Sequence, residues 1–147
     1  MHDPAIQTMS HKAAWILSEG AIYTFGRDKL NRPVVYLDLT KIKLDRYEII
    51  DYYCAFNAVL NLVVSTCFVP GVIENYLFVI DMGGKNFTSL PFEALGSIIK
   101  KMSIVYSMFL GTMLIINTQN FIKFSFNAFK IFIHEDTRKK ILMLNTD

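Results

Sequence analysis

Charged residues and cysteines are both scarce in this sequence, and each shortage excludes classes of protein. Only 19% of the 147 residues are charged and the net charge is +2, too small to indicate a nucleic-acid binder. Cys54 and Cys67 lie outside any C-x-x-C or Cys/His spacing, which fits a reducing compartment and excludes a disulfide framework or structural zinc. His2, His11 and His134 are equally scattered, so we expect no metal site and no cofactor.

Apolar residues are abundant instead. They make up 52% of the chain, and aromatic residues alone make up 14%, which excludes an intrinsically disordered protein. The length is that of one domain. A single domain with this composition must cover a large apolar surface.

Two uncharged stretches, residues 52–73 and 102–122, approach the length that spans a bilayer. The first contains Asn57, Asn61 and a Pro-Gly pair, and the second contains Gly111 and Asn117. We therefore interpret both as parts of a folded domain. The N-terminus lacks a basic segment followed by an apolar core, which is the pattern of a signal peptide, so we expect a cytoplasmic protein.

Strand-like and helix-like segments alternate along the chain. Helical spacing of apolar residues predicts helices, Gly20 suits a left-handed cap after the first, and Gly111 is predicted to end the third. The alternation, with strands apolar on both faces, predicts an α/β domain with a mainly parallel sheet. The predicted strands are 21–25, 34–39, 76–81, 112–117 and 141–144, and the predicted helices are 12–18, 45–64, 89–111 and 121–133.

Catalytic motifs give little support for an enzyme. The sequence has no nucleophile elbow, phosphate-binding loop or dinucleotide-binding glycine pattern. Asp38 and Asp81 stand at the ends of predicted strands, where α/β folds place ligand sites. Asp81 precedes Gly83 and Gly84, however, and organising that turn through side-chain hydrogen bonds is its simpler role.

Phenylalanine is concentrated in residues 121–133, and basic residues are concentrated in the same part of the chain. Residues 100–147 carry seven Lys and Arg against three acidic residues, whereas residues 1–99 carry eight against ten. Ordinary core packing and a solvated helix end would explain these features. The alternative is a mobile flap over an apolar cavity or bilayer, beside basic residues that suit anionic lipid headgroups.

Several short motifs occur in a characteristic order. They are N-R-P-V-V-Y at 31–36, F-V-I-D at 78–81, I-I-N at 115–117, F-K-x-F at 129–132 and K-K-I-L at 139–142. Over residues 21–145 this order resembles the CRAL-TRIO lipid-binding family. The resemblance implies a CRAL-TRIO-like α/β bowl, in which a mainly parallel β-sheet floor and helices enclose an apolar pocket for one lipid.

The resemblance also implies roles for individual residues. Alternate residues of two strands match positions that face the pocket, and three phenylalanines match a gate helix that swings outward to let acyl chains pass. The pocket positions are Tyr76, Phe78, Ile80, Met113 and Ile115, and the gate positions are Phe126, Phe129 and Phe132.

Headgroup contacts come from the same resemblance. Thr137 and Lys140 match a Thr and a Lys that surround the inositol phosphate in phosphatidylinositol-binding members, and Lys139 adds a basic residue beside them. The family's Glu position is occupied by Met108, so the identity of the phospholipid stays open. The implied partners are a phospholipid or other hydrophobic molecule and, transiently, a membrane surface.

The resemblance divides the chain into two parts. Residues 1–20 are a polar lead-in, interpreted as a remnant of the family's N-terminal helical lid, and residues 21–147 are the lipid-binding domain. The further helix and Gly-Gly segment that usually follow in the family do not occur within these residues.

Our leading interpretation is a non-enzymatic domain that binds and transfers a lipid and associates peripherally with membranes. One alternative is a protein-interaction or regulatory module whose cavity is filled by large side chains such as Phe78, Met108 and Met113. Another is a STAS-like regulatory domain, since residues 76–106 also resemble its strand-turn-helix segment. The absence of a Ser or Thr at the turn after Asp81 disfavours the STAS-like interpretation.

Overall fold

A five-stranded sheet forms the centre of the computed structural model, which describes residues 11–83, 96–98, 100–101, 104, 106–118 and 133–144. Several helical segments accompany the sheet. In chain order the elements are α1 (His11–Ser18), β1 (Ile22–Arg27), β2 (Pro33–Asp38), α2 (Ile49–Thr66), β3 (Tyr76–Asp81), β4 (Leu110–Ile116), α3 (Glu135–Arg138) and β5 (Ile141–Leu144). Helical residues at 96–98, 100–101, 104 and 106 precede a 3₁₀ turn, Ser107–Phe109.

The strands lie in the sheet in the same order as in the chain. β1 and β2 are antiparallel, whereas β2, β3, β4 and β5 are all parallel. The prediction of an α/β domain with a mainly parallel sheet is therefore confirmed. Parallel neighbours need a crossover connection, and α2 belongs to the connection between β2 and β3.

The β1–β2 turn is held by one aspartate. The carboxylate of Asp28 accepts hydrogen bonds from the backbone N–H groups of Leu30 and Arg32, and its second oxygen accepts one from the Arg32 guanidinium at 2.7 Å. Asn31 has a φ of 62°, a left-handed conformation that asparagine tolerates. The N-R-P sequence thus ends a tight turn and begins a strand.

The main core lies between one face of the sheet and the helices α1 and α2. Phe56 and Leu60 of α2 are buried against β-strand residues such as Val35 and Phe78. The apolar spacing that predicted this helix is what produces its buried face. α1 contributes Ala13 and Ile16 to the same core, so the second half of the predicted lead-in packs within the domain.

The boundaries of α2 differ from the prediction, which began the helix at residue 45. Glu48 has an extended backbone and precedes the first helical residue, Ile49. The carboxylate of Asp51 accepts a hydrogen bond from the Glu48 N–H at 3.0 Å and satisfies a donor at the helix start. Tyr47 turns inward and donates to Glu19 at 2.8 Å, which holds the preceding residues outside the helix.

Gly111 was predicted to end a helix, and this prediction is wrong because Gly111 lies inside β4. A Cβ at this position would stand 2.6 Å from Nη1 of Arg32 and 2.8 Å from Oδ1 of Asn75. The absence of a Cβ leaves room for these two side chains, which belong to the residues just before β2 and β3. Gly20, in contrast, has the predicted left-handed conformation after α1, with a φ of 75°.

α2 is the only helix among the described residues that is long and apolar enough to cross a membrane. Its 18 residues have a mean hydropathy of 1.3, and 44% of them are buried inside the domain. The buried set includes the polar residues Asp51 and Asn57. Packing of one face against the sheet explains the apolar composition of α2.

Candidate functional site

The carboxyl ends of the parallel strands carry polar side chains that hold turns. Oδ1 of Asp81 accepts hydrogen bonds from the Gly83 N–H at 2.8 Å and from Nδ2 of Asn117 at 2.7 Å. Oδ1 of Asp38 accepts one from the Thr40 N–H at 2.9 Å. The structural role proposed for Asp81 from the sequence is therefore confirmed.

The five residues predicted to line a pocket lie together on one face of the sheet. Phe78 pairs with Met113, and Ile80 pairs with Ile115, in adjacent parallel strands. Side chains that pair in register project to the same face. All five side chains are buried in the core cluster that contains α1 and α2: Tyr76, Phe78, Ile80, Met113 and Ile115.

This face of the sheet is buried more completely over β3 than over β5. Phe78 is 3% exposed, and its ring meets the Phe56 ring of α2 edge to face, with centroids 6.5 Å apart. Ile141 and Met143 of β5 share the face but are only partly buried. The part of the face over β3 is thus filled by α2, and coverage decreases from β3 to β5.

The core contains one polar cluster that the sequence did not predict. The hydroxyl of Tyr106 donates to the side chain of Asn57 and lies 3.0 Å from Oδ1 of Asn61. Burial is the main reason that the pKa of Tyr106 rises to about 12, and the nearby Tyr53 adds to it. Asn57 and Asn61 stand four residues apart in an apolar helix, and this spacing was the available signal.

Tyr76 lies close to this cluster. Burial raises the pKa of Tyr76 above its ordinary value, with a further contribution from Tyr106. Both phenols therefore stay protonated at neutral pH. They can donate hydrogen bonds within the apolar face, but they are not poised as bases.

The opposite face of the sheet is also apolar. Leu77, Val79 and Leu114 alternate with the residues described above, and Leu142 of β5 pairs with Leu114. Val79 is buried, whereas Leu142 and Leu144 are about half exposed. Apolar side chains on both faces are typical of parallel strands.

A second group of predicted residues meets at the start of β4 and β5. Thr137 is 3% exposed, and its Oγ1 atom is buried without a hydrogen-bond partner. The half-buried Lys140 donates from Nζ to the carbonyl oxygen of Ser107 at 3.0 Å, and its N–H donates to the Thr137 carbonyl at 3.0 Å. Lys140 therefore links α3 to the turn that contains Met108.

An unpaired buried hydroxyl is unfavourable in a folded protein and usually has a reason. The ammonium group of Lys140 has three donors, and one is directed at Ser107. Thr137 and Lys140 are joined by a backbone hydrogen bond, with the Thr137 hydroxyl buried and the Lys140 side chain half-buried. Lys139 is exposed beside them, while Met108, in the turn contacted by Lys140, contributes no charge.

The gate positions Phe126, Phe129 and Phe132 lie outside the described residues. Among the residues that the structure describes, no group of three or more His, Cys, Asp and Glu side chains is arranged to hold a metal ion. Cys54 and Cys67 are free thiols and are both partly buried.

Comparisons with known proteins indicate one family. The family model of the CRAL/TRIO domain matches residues 17–147. A search of curated proteins found no match. The crystal structure of Sfh5 superposes with a TM-score of 0.74 at 16% sequence identity, and the match covers 91% of this chain. It covers 49% of the Sfh5 chain, so the present chain spans about half the length of that structure.

Proposed function

The chain belongs to the CRAL/TRIO domain family, and from this premise we propose that it binds a phospholipid and transfers it between membranes without catalysing a reaction. Proteins of this family are generally lipid-binding transfer proteins. The unpaired, buried hydroxyl of Thr137 beside Lys140 is the observation that carries the proposal for a phosphate-containing ligand.

The acyl chains are proposed to lie over the β4–β5 half of the core face. Met113 and Ile115 stand there next to the partly buried Ile141 and Met143, whereas α2 already fills the space over Phe78. Each buried CH₂ contributes about 0.8 kcal/mol. Two acyl chains therefore provide enough affinity without covalent chemistry.

The segment with Phe126, Phe129 and Phe132 is proposed to act as the gate over this site. It belongs to the connection between β4 and β5, which are adjacent and parallel.

The headgroup is proposed to meet Thr137 and Lys140, with Lys139 at the membrane surface. The half-buried Lys140 brings one positive charge beside an apolar surface, which suits a phosphate diester. With the uncharged Met108 in the neighbouring turn, we expect no strong selection for phosphatidylinositol over other phospholipids. The protein is proposed to be cytoplasmic and peripherally membrane-associated.

Mass spectrometry of lipids extracted from the purified protein tests the proposal. We expect a phospholipid in near-stoichiometric amount, and exchange of it for labelled lipid from vesicles. Phe129→Ala with Phe132→Ala is expected to slow exchange, whereas Trp15→Ala, at an exposed position on α1, is a control that should leave exchange unchanged. A chain that carries no lipid and takes none from vesicles would refute lipid binding.

The alternative, a protein-interaction module with a filled cavity, has one observation in its favour. Phe78 and Met113 are nearly inaccessible, and Phe78 packs directly on Phe56. This module would carry no lipid, and Met113→Ala would only destabilise it. Under the lipid-binding proposal, the same substitution enlarges the site over β4 and shifts the bound lipids towards bulkier chains.

A further inference from the structure

The most exposed apolar side chains of the described residues are concentrated at one end of the sheet. Five large apolar side chains are at least 70% exposed. Four of them lie at the end of the sheet where the parallel strands begin. We call these four residues the apolar tips: Phe25 at 76%, Leu30 at 70%, Val72 at 77% and Met108 at 75%. Solvent-exposed apolar groups clustered in this way usually mark an interaction surface.

Specific contacts tie the loops that carry the tips to one another. Arg27 donates from Nη1 to the Asn31 carbonyl at 2.8 Å and from Nη2 to the Cys67 carbonyl at 3.0 Å. These bonds join the β1–β2 turn to the segment that follows α2. The rings of Phe68 and Phe109, 5.7 Å apart, join that segment to the turn before β4.

The chain of contacts continues to β5. Lys140 donates to the Ser107 carbonyl, so the turn with Met108 is bound to the residues that follow α3. Near the other tips, the hairpin turn carrying Val72 is closed by two hydrogen bonds between Val69 and Ile73. Leu30, Val72 and Met108 therefore stand on connected loops at one end of the domain, and Phe25 stands near the end of β1 that leads into the first of these loops.

Charges at this end are mixed with an excess of cations. Arg27, Lys29, Arg138 and Lys139 are exposed, while the Asp28 carboxylate is 13% exposed and is paired with Arg32. Glu74, Glu135 and Asp136 are exposed acidic residues in the same region, so the excess of positive charge is small. Such a surface gains from anionic lipids but depends mainly on its apolar groups.

We propose that this end of the domain, with the four apolar tips, docks on the surface of an anionic membrane. The tips insert between headgroups, and Lys29 and Lys139 contact lipid phosphates. This inference rests on the proposed function, since it would bring Thr137 and Lys140 close to the bilayer where a headgroup leaves or enters. Three of the tips lie on separate loops and Phe25 lies near the end of β1, among mixed charges with a small excess of cations, and this pattern suits shallow insertion better than a flat protein interface.

Vesicle co-sedimentation provides the test. The wild-type chain is mixed with vesicles of phosphatidylcholine alone or with phosphatidylserine, and compared with the triple variant Phe25→Ser, Leu30→Ser, Val72→Ser. We expect the wild type to favour the anionic vesicles, and the triple variant to bind them about tenfold more weakly or worse. The matched control, Trp15→Ser with Ile50→Ser, removes exposed apolar groups from α1 and α2 and should bind like the wild type.

A fluorescence measurement shows which residue enters the bilayer, whatever the strength of binding. Trp15 is the only tryptophan, and it lies on α1, away from the tips. With vesicles containing brominated phosphatidylcholine, Phe25→Trp in a Trp15→Phe background should be quenched, whereas native Trp15 should not. Equal vesicle binding by the triple variant, or quenching of Trp15 alone, would overturn the docking surface.

Lipid extraction from the same preparations separates the two proposals. The triple variant should still carry lipid after purification, because none of its three positions belongs to the proposed pocket. A lipid-loaded wild type that does not bind vesicles through the tips refutes docking alone. A wild type that docks through the tips but never carries or exchanges lipid refutes the proposed function alone.

Discussion

Replacing Thr137 with valine should stabilise the ligand-free protein and weaken phospholipid binding. The Thr137 Oγ1 atom is buried and unpaired, and a buried hydroxyl without a partner costs about 1–3 kcal/mol. Valine has nearly the same shape and a similar helix propensity. We therefore expect a gain of about 1 kcal/mol in the free energy of unfolding, or an increase in Tm of roughly 3 °C for a chain of this size.

Binding should change in the opposite direction. A hydrogen bond to a charged phosphate contributes about 1.5–3 kcal/mol, so its loss corresponds to roughly a tenfold or larger fall in affinity. Urea unfolding of delipidated protein measures the first effect, and uptake of labelled phospholipid from vesicles measures the second.

Thr24→Val is the matched control. Its hydroxyl donates to the Val34 carbonyl at 2.9 Å, so the same substitution should lower stability by about 1 kcal/mol and leave lipid uptake unchanged. If Thr137→Val is destabilising, the hydroxyl has a partner within the folded protein. If it is stabilising and uptake is unaffected, the ligand does not contact Thr137.

Two further predictions concern the turn after β3 and the buried tyrosine. Gly83→Ala should lower the free energy of unfolding by at least about 2 kcal/mol, because Gly83 has a φ of 61° and a Cβ there would overlap Cγ2 of Thr40. An unchanged urea midpoint would contradict this prediction. Gly26→Ala, also at positive φ but in open space, isolates the backbone contribution. The pKa of Tyr106 is raised from 10.0 to about 12, so folding favours the protonated phenol. Its contribution to the free energy of unfolding is therefore fully present below pH 10 and is lost as the pH rises through about 12. Unfolding followed over this range should give a shallower decline for Tyr106→Phe than for the wild type, and equal slopes would contradict the role of burial.

Local patterns in the sequence were sufficient to predict most of the elements. The strand predicted at 76–81 and the strand predicted at 141–144 agree with β3 and β5, because short apolar runs between turn residues define buried strands. The family was also identified from the order of short motifs, and the match over residues 17–147 confirms it.

Long-range contacts account for what the sequence did not predict. Gly111 was interpreted as a helix end because its partners, Arg32 and Asn75, are distant in the sequence. The Tyr106–Asn57–Asn61 cluster requires α2 and the residues before β4 to meet. The shared face of the pocket residues could be predicted from strand periodicity, whereas its filling by Phe56 could not.

The order of the strands has a consequence for how the protein is made. Each strand pairs with the one synthesised immediately before it, so the sheet can grow from β1 to β5 as the chain leaves the ribosome. Among the described strands, each finds a partner in the strand that precedes it along the chain, which limits the time during which its apolar edge is exposed to other chains.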